Sequence, residues 1–215
     1  RHPSATVDKI LAEDINFELY KDSAVCANGA MYRKDVRGFL PELMEKIYKD
    51  RTIYKKKMLE AKQQYEKTKT KTLEKEISRC NNIQMARKIQ LNSAYGAIGN
   101  QYFRYYKLAN AEAITLSGQV SIRWIENKMN AYLNKILKTE GEDYVIASDT
   151  DSIYLNLGPL VDVVYKDREK NAESIVSFID KICIEKFEPF IDNSYKELAQ
   201  YVNAYDQMMF MKREN

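Results

Sequence analysis

Histidine is almost absent from this 215-residue sequence, which contains only His2. A single histidine argues against Ser-His-Asp and Cys-His nucleophile systems and against most histidine-based metal sites. The three cysteines, Cys26, Cys80 and Cys183, form no C-x-x-C pair. They therefore favour a reducing, intracellular setting and do not predict a zinc site. Any catalysis by this chain must depend on carboxylates and cations.

Long apolar runs and a strong net charge are also lacking. No stretch approaches the ~18 residues that are needed to cross a bilayer, so we expect no membrane partner. The net charge of +3 is small for a nucleic-acid-binding protein, and an anion-binding surface would have to come from local clusters. The chain begins at Arg1 without an initiator methionine and ends without a capping or turn signal. We therefore expect it to be part of a longer protein.

Glycine is absent between residues 40 and 95, where the pattern is helical. Apolar residues recur at helical intervals after Pro41, which suits a first turn, and the lysine- and threonine-rich run at 67–75 has no apolar face. This run predicts the tip between two antiparallel helices, the second from about Leu73 to about Ile98. The positions that carry the first helical pattern are Leu43, Ile47, Tyr54, Met58, Ala61 and Tyr65.

The remaining segments predict an α+β fold, with a long antiparallel helical hairpin attached to an antiparallel β-hairpin that is backed by helices. Asn28-Gly29 predicts an earlier hairpin turn. Residues 117–137 predict an amphipathic helix, residues 142–157 a strand, tight turn and strand, and residues 207–212 a short strand. Two more helices are predicted, around Ser174–Lys186 and from Pro189 onward. The inward positions are Val120, Trp124, Ile125, Met129, Tyr132, Leu133 and Ile136 in the first helix and Ile175, Phe178, Ile179 and Ile182 in the second.

Two carboxylates, Asp149 and Asp151, interrupt the apolar runs of "EDYVIASDTDSIYLNL". Residues two apart on a strand point the same way, so these side chains are predicted to converge. Two negative charges that lie so close together favour a hard divalent cation between them, and magnesium prefers such oxygen ligands. An Asp-rich turn can also be simple turn chemistry. The flanking apolar residues Val145, Ile146, Ile153 and Leu155 favour the metal, because they predict that the turn lies at the mouth of a buried sheet.

Cations on the two long helices predict a polyphosphate site. Arg51 and Lys55 are one turn apart on the first helix, and Lys88, Asn92 and Tyr95 share a face of the second. If the tip lies near Thr70, Arg51 and Lys88 sit at nearly the same height along the pair. Arg offers a fork of donors and Lys a point charge, which together suit a triphosphate. The alternative is a solvated lysine-rich surface.

These motifs together resemble DNA polymerases of family B. "RKIQLNSAYGAIGN" is similar to the K-x-x-x-N-S-x-Y-G motif of their fingers, and "SDTDSIY" to their D-T-D palm motif. Other segments, including "NQYFRYYKLANAEAIT" and "MMFMKRE", resemble the T-even-like bacteriophage replicative polymerases in the same order. The resemblance implies that residues 1–40 are a partial palm and pre-fingers segment. It implies that residues 41–99 are the fingers hairpin and residues 100–215 the palm segment that carries D-T-D.

The resemblance implies a DNA-directed DNA polymerase that adds deoxynucleotides to a primer 3′ end by two-metal nucleotidyl transfer. Asp151 would be a ligand of the two catalytic Mg²⁺ ions and Asp149 its essential neighbour. The other principal metal ligand, an Asp followed shortly by S-L-Y-P-S in the family, does not occur in this sequence. We expect it upstream of Arg1, and we expect the isolated chain to be inactive.

The resemblance also implies the nucleotide-binding residues and the partners. Tyr95 would pack against the nascent base pair, Gly96 would leave room for that pair, and the incoming triphosphate would be held by Arg51, Lys55, Lys88 and Asn92. The partners would be primer-template DNA, deoxynucleoside triphosphates and, through regions outside this chain, a sliding clamp and a single-strand-binding protein. A phage enzyme of this kind would act in the host cytoplasm.

Two other interpretations remain open from the residues alone. A metal-dependent glycosyltransferase would use its D-x-D site to hold a nucleotide-sugar diphosphate, but the helical hairpin does not support it. A non-enzymatic helical nucleic-acid-binding module would have a purely structural Asp turn. Template-dependent primer extension by the full-length protein would separate the three.

Overall fold

A computed structural model describes residues 1–166 and 171–213, which divide into two units. The helical-hairpin unit comprises Asp35–Ala111. The sheet-containing unit comprises Arg1–Lys34 and the described residues from Glu112 onward.

The strands form two antiparallel hairpins, and the helices lie in runs between and after them, as expected for the predicted α+β class. The first segment contains α1 (Val7–Leu11), a 3₁₀ turn (Glu18–Tyr20), β1 (Ser23–Val25) and β2 (Met31–Arg33). The long helices are α2 (Phe39–Thr68), α3 (Lys71–Ile98) and α4 (Leu108–Leu137). They are followed by β3 (Val145–Asp149), β4 (Ser152–Leu155), α5 (Gly158–Val164), α6 (Ala172–Ile182), a π-helical turn (Cys183–Phe187) and α7 (Glu188–Tyr201).

The tip of the helical hairpin lies where the sequence predicts it. Lys69 adopts a left-handed conformation with φ 46°, and its N–H donates to the Tyr65 carbonyl at 2.8 Å, which closes α2. Thr70 is extended and directly precedes α3, which begins at Lys71. Only these two residues interrupt the helices, so most of the run at 67–75 is helical despite its weak helix propensity. Contact between α2 and α3 overrides that local preference.

Only a few side chains are buried inside this hairpin. Met58 and Ala61 are the buried residues of α2, and Cys80 and Gln84 those of α3. The Cys80 thiol lies 3.2 Å from a carboxylate oxygen of Glu76, one turn earlier. Because few apolar atoms are buried, local contacts hold this unit together rather than a large core.

The core of the sheet-containing unit is apolar and draws on almost every one of its elements. Helix α4 runs through it, and the Trp124 indole N–H donates to the Ser194 carbonyl of α7 at 2.9 Å. Of the predicted inward positions of α4, Tyr132 is half-buried and Ile136 is 41% exposed, while the others are buried. The core comprises Ala5, Ile10, Ile15, Phe17, Val25, Ala27, Val120, Trp124, Ile125, Met129, Leu133, Tyr144, Val145, Leu160, Phe187, Ile191, Tyr195 and Leu198.

The turn predicted at Asn28-Gly29 joins β1 and β2, which pair antiparallel. Gly29 has φ +74°, a conformation that side chains rarely adopt. A Cβ at this position would lie 2.4 Å from the backbone oxygen of His2. Both the positive φ and the close approach of the first segment therefore require glycine.

The two helices predicted near 174–186 and from Pro189 form one uninterrupted helical stretch. Helix α6 passes through the π-helical turn directly into α7. Pro189 lies in the first turn of α7. Because proline has no N–H to donate to the preceding turn, the wider π turn at this point has a local cause. The predicted inward residues of α6 are half-buried: Ile175, Phe178, Ile179 and Ile182.

The strand predicted at 207–212 is wrong. These residues have no regular structure, and Met208 and Phe210 are 64% and 72% exposed. A strand needs a partner, and within residues 1–166 and 171–213 none pairs with this segment.

Among the described residues, no helix combines the length and apolar character that crossing a membrane requires.

Candidate active site

The carboxylate turn is the two-residue loop of the β3–β4 hairpin. Asp149 ends β3 and pairs with Ser152, so Thr150 and Asp151 form the loop between them. Asp151 is therefore a loop residue, and strand alternation, on which its convergence with Asp149 was predicted, does not apply to it. The turn itself brings the two residues together, because the Asp151 N–H donates to the Asp149 carbonyl.

Thr150 shapes this turn through an uncommon backbone conformation. Its φ is 53°, in the left-handed region, which is unfavourable for a β-branched residue. Its hydroxyl donates to a carboxylate oxygen of Asp149 at 3.0 Å, and the Ser152 hydroxyl donates to the Asp149 carbonyl at 3.2 Å. The strained backbone of Thr150, together with hydrogen bonds to the carboxylate and to the backbone carbonyl of Asp149, is typical of a functional turn.

Exposure of the hairpin differs from the expected mouth of a buried sheet. Val145 is 5% exposed and Ile153 and Leu155 are half-buried, but Ile146 is 68% exposed. Within the described residues the sheet has two strands, so one face packs on the core and the other is open. Asp149 and Asp151 are themselves exposed. Burial of the carboxylates is therefore not what favours a cation here.

A buried tyrosine lies near the turn. Tyr195 of α7 is 4% exposed. Burial, and secondarily the negative charge of Asp151, raise the pKa of its phenol to about 12. The phenol therefore stays neutral at physiological pH and adds no negative charge beside the carboxylates.

The residues of the turn fit a magnesium ion through their chemistry. In the part of the chain that the structure describes, no group of three or more His, Cys, Asp or Glu residues could hold a metal ion. Mg²⁺ does not need such a group, since it is commonly held by one or two carboxylates together with water and substrate phosphates. Two exposed carboxylates, one at the end of β3 and one in the loop, provide that kind of partial ligand set.

The cationic face belongs to the helical-hairpin unit, in which one ion pair joins the two long helices. A guanidinium nitrogen of Arg87 on α3 lies 3.7 Å from a carboxylate oxygen of Asp50 on α2. Since Asp50 and Arg87 lie opposite each other, their neighbours Arg51 and Lys88 lie at similar heights along the hairpin, as the predicted tip requires. Arg51 is half-buried, and its Nε atom is buried without a hydrogen-bond partner.

The other predicted nucleotide-binding residues are accessible on the outside of the hairpin. Tyr95 is 47% exposed, and a Cβ placed on Gly96 would meet nothing within 4 Å. Packing within this chain therefore does not explain the glycine. The exposed residues of the predicted site are Lys55, Lys88, Asn92, Tyr95 and Gly96.

Arg87 is a charged residue that the sequence reasoning missed. It is half-buried and lies on the same side of α3 as the buried residues Cys80 and Gln84 and the half-buried Leu91. The signal was available, because these four residues recur at i, i+4, i+7 and i+11, the spacing of one helical face. The adjacent Lys88 is exposed and lies on the outer face.

Comparison with known proteins gives consistent matches. The family model described as DNA polymerase family B matches residues 4–198. The DNA-directed DNA polymerases of Escherichia phage RB69 and Enterobacteria phage T4 are each 35% identical over 228 aligned positions, covering 87% of this chain and 25% of the relative. The DNA polymerase delta catalytic subunit of Drosophila melanogaster is 29% identical over 133 positions, covering 61% of this chain and 11% of that protein.

The chain thus spans about a quarter of the length of the two phage relatives. Its resemblance to the T-even-like phage polymerases, first drawn from the motifs, is confirmed by these matches. The chain belongs to DNA polymerase family B.

Proposed function

We propose that this chain is the nucleotide-binding hairpin and part of the catalytic core of a template-directed DNA polymerase. The reaction adds a deoxynucleotide to the 3′ hydroxyl of a primer and releases pyrophosphate. The observation that carries the proposal is the family match over residues 4–198, which includes both the D-T-D turn and the cationic helical face. It favours neither a glycosyltransferase nor a non-enzymatic binding module.

Asp149 and Asp151 are proposed to hold the Mg²⁺ ions of this reaction. When bound, two such ions lower the pKa of the primer hydroxyl and neutralise the pyrophosphate that leaves. The turn supports this role because its two carboxylates are exposed and Asp149 is oriented by the Thr150 hydroxyl. The Tyr195 phenol, neutral at working pH, does not compete with them for a cation.

The helical face is proposed to hold the triphosphate of the incoming nucleotide. Lys55 and Lys88 offer exposed ammonium groups, Asn92 a neutral donor and Arg51 a guanidinium. Cations that contact the leaving phosphates neutralise the charge that develops there, so they raise the rate as well as the affinity. Tyr95 and Gly96, further along α3, are proposed to contact the new base pair and to leave room for it.

The partners follow from this role. Primer-template DNA and deoxynucleoside triphosphates are the proposed substrates, and a sliding clamp and a single-strand-binding protein the proposed accessory partners, through regions outside this chain. The proposed location is the host cytoplasm, as for a phage replicative enzyme.

Template-directed primer extension by the intact polymerase tests the proposal. A labelled primer is annealed to four templates that differ only in the first unpaired base, and each is incubated with Mg²⁺ and all four nucleotides. We expect the added nucleotide to change with the template base and the reaction to stop when Mg²⁺ is chelated. Extension independent of the template base, or transfer of a sugar with no extension, would overturn the proposed function.

A further inference from the structure

The base of the carboxylate hairpin is fastened to α4 by two asparagines, Asn130 and Asn134, one helical turn apart. Asn130 uses both ends of its side-chain amide. Its oxygen accepts the backbone N–H groups of Tyr144 at 2.9 Å and Val145 at 3.1 Å. Its nitrogen donates to a carboxylate oxygen of Asp143 at 2.8 Å. The first residue of β3 is thus held by a side chain of the helix behind it.

Asn134 holds the connection between α4 and β3 in a similar way. Its amide oxygen accepts from the Thr139 hydroxyl at 2.9 Å and from the Glu142 N–H at 3.1 Å. Its amide nitrogen donates to the carbonyl of Glu142 at 2.7 Å and to that of Asn130 at 2.9 Å. Every polar atom of this side chain therefore binds the connector or the helix.

The returning strand is held at the same point. The Asn156 N–H, directly after β4, donates to the Tyr144 carbonyl at 2.8 Å. Tyr144 and Val145 are 4% and 5% exposed, whereas the hairpin beyond them opens to one side. The direction of the hairpin is consequently set at its base, where both strands meet the helix.

An irregularity in β3 increases the importance of this base. Val145 pairs with Leu155 and Ala147 with Tyr154, so Ile146 is an extra residue in the strand. Such bulges bend a strand and redirect the residues beyond the bend. The bend lies between the asparagine contacts and the carboxylates. Beyond it β3 and β4 remain paired as far as Asp149 and Ser152, so a change of angle at the base also moves the turn.

We propose that Asn130, supported by Asn134, is a positioning residue for the reaction, because it sets the direction in which the hairpin presents Asp149 and Asp151. This inference rests on the proposed function of those carboxylates. Asp149 lies about 13 Å along the strand from Val145, so a rotation of about 5° at the base moves the turn by about 1 Å. A misplacement of that size costs roughly 10²-fold in rate.

The first test replaces Asn130→Ala in the intact polymerase, with Asn127→Ala as the matched control. Asn127 is exposed on the same helix. We expect Asn130→Ala to lower the single-turnover rate at saturating nucleotide by about ten- to a hundred-fold and to raise the Mg²⁺ concentration needed for half-maximal rate several-fold. The affinity for primer-template DNA should stay within about twofold, and the control should match the parent enzyme.

A reciprocal exchange separates positioning from general damage to the fold. Asn130→Asp keeps the acceptor for the two backbone N–H groups but places a second carboxylate against Asp143, so the rate should fall. Adding Asp143→Asn restores this hydrogen bond in the opposite direction: the new amide at position 143 donates to the new carboxylate at position 130. The double variant should recover the parent rate and Mg²⁺ requirement to within about threefold.

The possible results of these experiments distinguish failure of the positioning role from failure of the proposed function of the turn. An Asn130→Ala enzyme with the parent rate and Mg²⁺ requirement would overturn the inference. A double variant no better than Asn130→Asp alone would overturn it as well, and this arm remains decisive if Asn130→Ala does not fold. Asp151→Ala is measured in parallel: if that variant is fully active, the proposed role of the turn has failed. If only Asn130→Ala is fully active, the positioning role alone has failed.

Discussion

The two units of this chain bury different kinds of side chain. The sheet-containing unit has a core of aromatic and branched residues, with Ile125 and Met129 fully buried. The helical-hairpin unit buries little more than Met58, Ala61, Cys80 and Gln84 between its long helices. The carboxylate turn therefore lies on a unit with a large apolar core, the platform, whereas the hairpin consists of two long helices that leave most of their side chains exposed.

Substitution in the carboxylate turn should have the largest effect on the rate of the reaction. In the intact polymerase we expect Asp151→Ala to lower the single-turnover rate by roughly 10³-fold or more, because it removes a proposed metal ligand, and bound metal contributes several kcal/mol of transition-state stabilisation. Binding of primer-template DNA should change little. Rapid-quench kinetics and a DNA-binding titration measure the two quantities, and a rate within tenfold of the parent enzyme would contradict this assignment.

Core substitutions should sharpen the contrast in stability. Met129→Ala leaves a cavity in a fully enclosed site and should cost about 3 kcal/mol of unfolding free energy, whereas Met58→Ala, between two helices that can close up, should cost about 1–2 kcal/mol. Hydrogen exchange read separately over α4 and over α2 and α3 measures both. Equal losses of unfolding free energy in both variants would mean that the two units are packed equally tightly.

The cationic surface of the hairpin should give the next effect. Lys88→Ala in the intact polymerase is expected to reduce nucleotide-dependent kcat/KM by about 10²-fold through the loss of one charged contact to the triphosphate. Lys56→Ala is the matched control, since Lys56 is also an exposed lysine of the hairpin but lies on a different face of α2 from Arg51 and Lys55. Steady-state incorporation of a single nucleotide measures both. A Lys88→Ala enzyme with unchanged kinetics would remove the phosphate-site assignment.

The ion pair between the long helices should matter least. Arg87 and Asp50 are each more than a third exposed, and solvent screens such a pair strongly. We expect a double-mutant cycle with Arg87→Met and Asp50→Ala to give a coupling free energy below about 1 kcal/mol in thermal or chemical unfolding. A coupling of several kcal/mol would instead mean that the hairpin depends on charge for its stability.

Local patterns in the sequence predicted the elements that rest on helical periodicity and turn chemistry. The positions of Met58 and Ala61, the tip near Thr70 and the hairpin at Asn28-Gly29 are all confirmed. These features depend on residues close together in the chain. They could be predicted because neighbouring residues alone decide them.

Features that depend on distant partners were missed or misjudged. The strand at 207–212 was wrong because its apolar run has no strand to pair with among the described residues. The exposure of the Ile146 side chain could not be predicted, because the pattern of apolar residues along a strand does not show how many strands the sheet contains. The asparagines of α4 were passed over because Asn130 makes contacts 13 to 15 residues away that periodicity does not predict.

Metal binding at the turn is the central claim, and titration with Mn²⁺, followed by electron paramagnetic resonance, tests it most directly. The intact polymerase is held with a chain-terminated primer-template and the matching nucleotide, so that no reaction occurs. We predict that Asp151→Ala weakens or abolishes binding of Mn²⁺ ions that the parent enzyme binds, while Lys88→Ala weakens nucleotide binding instead. Unchanged Mn²⁺ affinity and stoichiometry in Asp151→Ala would contradict the account.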